Sequence, residues 1–135
     1  MKIVDLLTSV PVALPDNAPN GYPASEVGYF RMYHKKGYAG GKGTWYGTAF
    51  PVSEGLHNTP LVREFDSVIN AFRDVFPDMS AMSKWCRDHG AAREDWCGYD
   101  SWTYWLTLDN GIYKLILRNM PGDYNAYIHC FKKEG

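Results

Sequence analysis

Three cysteines in 135 residues are too few, and odd in number, for a disulfide framework. Cys86, Cys97 and Cys130 are expected as free thiols in a reducing, cytoplasmic compartment. Charge of either sign is also scarce in excess. Fourteen basic and fifteen acidic residues leave a net charge of −1. That balance gives no global electrostatic footprint for nucleic acid or anionic membrane, so a nucleic-acid partner is not expected. A local patch can still hide in the sum. The start, Met1 to Asp5, has no basic stretch leading into a long apolar run, so no secretory signal is expected. No run nears the roughly 18 apolar residues of a membrane span. Internal repeats and low-complexity tracts are missing too.

What is present is aromatic. Ten Tyr, five Trp and six Phe make 16% of the chain. Tyr and Trp bring large contact area with a polar tip, useful in cores and interfaces alike. The length is that of one domain, 1–135, able to bury a core without staples.

Residues 1–25 hold Pro11, Pro15, Pro19 and Pro23, which exclude a regular helix and spoil a central strand. A short apolar piece around 3–7, then an extended segment, is expected. Residues 27–35 and 44–50 read as strands, rich in β-branched and aromatic residues, joined by a glycine-rich tip into a hairpin. That tip contains Gly41-Lys42-Gly43-Thr44. It departs from a phosphate loop in spacing, and it precedes a strand instead of opening a helix.

Residues 59–76 predict a helix. Thr59 suits the N-cap and Pro60 the first helical position. Leu61, Val62, Phe65, Val68, Ile69, Phe72 and Phe76 fall at steps of three and four, one apolar stripe. A second helix follows, capped by Asp78 or Ser80. Its stripe is Met82, Trp85, Cys86 and His89, and Gly90 stops it. Residues 91–101 read as a loop carrying Glu94, Asp95 and Asp100.

The last third predicts a three-stranded meander. A turn centred on Asn110-Gly111 pairs Leu108 with Tyr113 and Tyr104 with Leu117. A turn at Pro121-Gly122 pairs Leu117 with Ala126 and Leu115 with Ile128. One face then holds Trp102, Tyr104, Leu106, Leu108, Tyr113, Leu115, Leu117, Ala126, Ile128 and Cys130, a core face. The other carries the row Trp105, Ile116, Tyr127, flanked by Arg118 and Lys114 with His129. A solvated face should be polar throughout, so this row is a candidate binding surface. The competing reading is that the proline-rich segment packs over it.

Other chemistry is weaker. Cys86, His89, Cys97 and Cys130 are the one coherent set of zinc ligands, since His129 and Cys130 point to opposite faces of a strand. No Cys-x-x-Cys knuckle supports it. A nucleophilic Cys97 needs a base, and His34 or His57 is the available choice. A ribonuclease-like set would draw on His129, His34 or His57 with Lys114 and Arg118.

The fold expected is α+β: an antiparallel sheet, hairpin plus meander, with two consecutive helices on one face. Whether the hairpin extends that sheet or covers its other side is left open by the pattern. The function expected is a small non-catalytic accessory domain, of a kind encoded by phages and mobile elements. It would bind a protein partner of unknown identity through Trp105, Ile116, Tyr127, Arg118, Lys114 and His129, with no cofactor. The alternatives are a small hydrolase or ribonuclease using His129, Lys114 and Arg118, and a zinc-supported structural domain.

Overall fold

The computed structural model describes residues 5, 7, 26–35, 44–51, 60–108, 111–119 and 123–131. Side chains at 26, 51, 60–62, 96, 106–108, 111 and 123 are outside the description. The expectations about the proline-rich segment (beyond Asp5 and Leu7), the glycine-rich tip, Thr59, Leu61, Val62 and the Pro121-Gly122 turn lie there.

Six strands and two helices follow in the order β1 (Glu26–Lys35), β2 (Thr44–Pro51), α1 (Pro60–Val75), α2 (Met79–His89), β3 (Ala92–Trp96), β4 (Tyr99–Leu108), β5 (Gly111–Asn119) and β6 (Asp123–Phe131). All strands join one antiparallel sheet in the order β2-β1-β6-β5-β4-β3. The fold is α+β, with helices and strands segregated along the chain. The hairpin extends the meander's sheet: β1 runs antiparallel to β6, with Phe30 opposite Ile128 and Met32 opposite Ala126.

The helices form where their stripes predict. Val68, Ile69, Phe72 and Phe76 are buried, with Phe65 packed against them. The side chain of Asp78 caps α2, accepting from the Ala81 amide at 2.8 Å. Gly90 ends α2 at φ 71°, a left-handed conformation that costs glycine nothing. Its N–H donates to Arg87 and that of Ala91 to Cys86, the paired bonds of a Schellman ending. Met82, Trp85, Cys86 and His89 all face inward.

Strand alternation supplies the other half of the core. Phe30, Met32, Trp45, Trp102, Tyr104, Tyr113, Leu115, Leu117, Tyr124, Ala126, Ile128 and Cys130 are buried under the helices. Trp45 meets Phe72 edge-on at 5.0 Å, and Trp85 meets Tyr104 at 5.5 Å, so both helices cover the same side. Leu7, helical and buried, accepts a hydrogen bond from the Trp85 indole at its carbonyl.

Two expectations are corrected. Residues 92–96 are a strand and not part of a loop, so the meander has four strands. Ala-Arg-Glu-Asp-Trp looks unlike a strand because it is an edge, where charge is the usual protection against further pairing. It turns into β4 through Cys97 (φ 53°) and Gly98 (φ 86°), the double positive φ of a tight hairpin turn.

The β4–β5 register is also different. Leu108 pairs with Gly111 and Tyr104 with Leu115, in place of the expected Leu108 with Tyr113 and Tyr104 with Leu117. Asp-Asn and Asn-Gly are both turn-favouring dipeptides, so the sequence alone supports either register. The shift keeps the described side chains on their expected faces, because each strand partner moves by two residues, and Leu106 and Leu108 of the expected core face lie outside the described side chains. The pairings of Leu117 with Ala126 and Leu115 with Ile128 are as expected.

Candidate functional site

The sheet's second face carries the candidate residues, and its rows follow from the registers. Trp105, Lys114, His129, Tyr29 and Phe50 lie opposite one another across five strands. The next row is Thr103, Ile116, Tyr127, Arg31 and Thr48, and the one after it Ser101, Arg118, Asn125, Tyr33 and Tyr46. Trp105, Ile116 and Tyr127 therefore do not form one row. The two-residue register shift sets Trp105 beside Lys114, and only Ile116 and Tyr127 remain neighbours.

Cations and rings are interleaved along these rows. The Lys114 ammonium lies over the Trp105 ring at 5.1 Å. Tyr127 sits between two guanidiniums, Arg118 at 5.2 Å and Arg31 at 5.9 Å. Arg31 also covers Tyr33 at 4.8 Å. Tyr29 stacks on Phe50 at 4.9 Å and on His129 at 5.5 Å, and Trp105 on Phe131 at 5.9 Å. Such contacts fix long cationic side chains against flat apolar ones. Among the described residues this face carries Arg31, Lys35, Lys114 and Arg118 against Glu94, on a chain of net charge −1.

Exposure is graded across the face. Trp105, Ile116, Tyr127, Lys114, Arg118 and His129 are half-buried, and Phe131 and Ser101 are buried. The open part lies at the other end, on the hairpin: Arg31 and Thr48 are exposed, Tyr46 is 50% exposed and Phe50 38%. These hairpin residues were missed by a reading confined to the meander. Their signal was the alternation of residues 44–50, which places Tyr46, Thr48 and Phe50 on one face once the hairpin belongs to the same sheet.

Among the described residues the other candidate sets do not assemble. His129 and Lys114 are direct cross-strand neighbours, but Arg118 stands four residues along β5, about 13 Å away at the usual strand rise, with Ile116 between. His34 lies on the opposite, helix-covered face, stacked on Tyr124 at 4.0 Å, and cannot join His129. His57 is outside the described residues. Among those described, no group of three or more His, Cys, Asp or Glu side chains is placed to hold a metal. Cys86 and Cys130 are buried, while Cys97 is exposed in the β3–β4 turn. Burial raises the Cys86 thiol well above its usual range, which makes it a poor nucleophile. His89 is held structurally: its ring stacks on Trp85 at 3.9 Å and its Nδ1 bonds the Trp85 carbonyl at 2.9 Å. Cys97 sits in the turn between β3 and β4, three to four strand spacings or about 14–19 Å from β1 and its His34.

No helix among the described residues is long and apolar enough to cross a membrane. Comparison with known protein families, curated proteins and solved structures finds no match to this chain.

Proposed function

We propose that this chain is a non-catalytic binding domain whose protein partner docks on the outer face of the sheet. The observation that carries the reading is the interleaving of Arg31, Lys114 and Arg118 with Tyr33, Tyr127 and Trp105 on a face whose hairpin end is open. Interface centres favour aromatic residues and Arg, because these bury large areas while keeping a polar contact. The candidate surface Trp105, Ile116, Tyr127, Lys114, Arg118 and His129 continues into Arg31, Tyr46 and Phe50. Removing the charges of Arg31, Lys114 and Arg118 from a net of −1 leaves −4 on the remainder, so the face offers an acidic partner a local attraction.

The spread of Lys114 and Arg118 along β5 gives the hydrolase or ribonuclease reading no compact centre. Among the described residues the scattered cysteines give the zinc reading no ligand set. On the binding reading the chain is an accessory protein, of the kind phages and mobile elements encode, working in the cytoplasm with its thiols reduced.

Capture from the native cell lysate tests this. Arg31→Glu reverses an exposed charge at the centre of the face, and Arg63→Glu does the same on the exposed side of α1. The expected outcome is a specific partner held by the wild type and by Arg63→Glu, and lost by Arg31→Glu with an unchanged circular-dichroism spectrum. Equal retention by Arg31→Glu refutes the reading.

A further inference from the structure

The two edges of the sheet are unlike each other. β3 spans five residues and carries Arg93, Glu94 and Asp95, all exposed. Charge of that kind keeps an edge from pairing further. β2, at the other edge, spans eight residues, Thr44-Trp45-Tyr46-Gly47-Thr48-Ala49-Phe50-Pro51, without one charge. Its ladder against β1 runs without a bulge from Lys35 opposite Thr44 to Gly28 opposite Pro51. Among the described residues β1 is its only strand neighbour. Thr44, Tyr46, Gly47, Thr48 and Phe50 are exposed. The one blunting residue, Pro51, stands at the very end. A long, regular, uncharged edge rich in aromatic and β-branched residues is a template for another strand.

We propose that this edge pairs antiparallel with the β2 edge of a second copy of the chain. The sequence of β2 is self-complementary about Thr48. With the two Thr48 residues opposite each other, Tyr46 of each copy faces Phe50 of the other. The aromatic pairs made this way repeat those already present one strand inward, Tyr33 with Tyr46 at 5.6 Å and Tyr29 with Phe50 at 4.9 Å. Threonine opposite threonine is a favourable cross-strand pair. On the helix side the same register sets Gly47 opposite Ala49, two small residues, beside the axis, and Trp45 opposite Pro51 further out.

Charge does not oppose it. The nearest cation on this face, Arg31, lies opposite Thr48 in β1. The two Arg31 residues would stand three strand spacings apart, about 14 Å, beyond the screening length of roughly 8 Å at physiological salt. An even register also puts the two-fold axis perpendicular to the sheet. The two outer faces then join into one twelve-stranded surface, with the helices of both copies on the opposite side. This pairing does not depend on the binding reading and can fail or hold independently of it.

Sedimentation equilibrium of the whole chain tests the proposal. The wild type is expected at twice the monomer mass. Thr48→Lys sets two ammoniums against each other on the axis and should give monomer, whereas Thr48→Val, branched alike and uncharged, should stay dimeric. Should Thr48→Lys not fold by circular dichroism, Tyr46→Lys at the aromatic pair replaces it with the same expected result. A wild type that remains monomeric up to its solubility limit overturns the proposal. So does a folded lysine variant that remains dimeric.

Discussion

Trp45 ties the edge strand that presents the open end of the face to the helices beneath it. It is 1% exposed, and its indole N–H donates to the Phe76 carbonyl at 2.9 Å, just past the end of α1. Its ring is held edge-on by Phe72 at 5.0 Å, Tyr124 at 5.1 Å and His34 at 5.4 Å. The Arg73 guanidinium donates to its carbonyl from α1. Replacing Trp45 with Ala removes the ring and leaves a cavity, a change that costs about 3–5 kcal/mol in a close-packed core. Trp45→Phe keeps much of the volume but strands the Phe76 carbonyl, at about 1–3 kcal/mol. A domain of this size has a total stability of about 5–15 kcal/mol, so the alanine variant stands near the limit of folding. Urea unfolding followed by far-ultraviolet circular dichroism measures both. The expected order is wild type, then Phe, then Ala, with Thr48→Val, exposed on the same strand, within about 0.5 kcal/mol of wild type. A Trp45→Phe variant as stable as wild type refutes the assignment of β2's anchorage to this hydrogen-bonded ring.

Other positions are equally open to test. The buried Tyr124 hydroxyl has no hydrogen-bond partner among the described residues, so Tyr124→Phe should raise stability by about 1 kcal/mol in the same assay. Cys97 holds a left-handed backbone beside Gly98, and Cys97→Asn should stabilise by about 0.5–1 kcal/mol, because asparagine suits that turn position. Burial raises both the Cys86 thiol and the Tyr124 phenol, so the folded chain keeps their protons where the unfolded chain releases them. Their contribution is intact below the ordinary values of 9.0 and 10.0 and is lost as pH rises past these, so Tm should fall steeply in that alkaline range. A thiol reagent at neutral pH should modify Cys97 at once and Cys86 and Cys130 only after unfolding.

Local signals carried far in this chain where one force acted alone. The apolar steps of Val68, Ile69, Phe72 and Phe76, the cap at Asp78 and the stop at Gly90 all lie where their chemistry places them. The same holds for the division of the meander into faces, since alternation survives even the two-residue slip between β4 and β5. Two things needed more than local information. The Ala-Arg-Glu-Asp-Trp strand is polar because it is an edge, and edges are defined only by the finished sheet. The pairing of β1 with β6 joins segments about a hundred residues apart, and no periodicity reports such a contact. That pairing moves the open part of the candidate face onto Arg31, Tyr46 and Phe50 and leaves Trp105, Ile116 and Tyr127 half-buried. The registers also separate Lys114 from Arg118, which a list of face residues alone does not do.

Hydroxyl-radical labelling of the chain in its native lysate, set against the purified chain at equal concentration, tests the binding face most directly. Tyr46 and Phe50 report on the open end of the face, and Tyr99, 36% exposed at the start of β4 beside the far edge strand, serves as the internal reference. Equal chain concentration holds any self-association constant between the two samples. The account predicts that labelling of Tyr46 and Phe50 falls relative to Tyr99 in the lysate, and that Arg31→Glu abolishes the fall. An unchanged ratio in the wild type contradicts it.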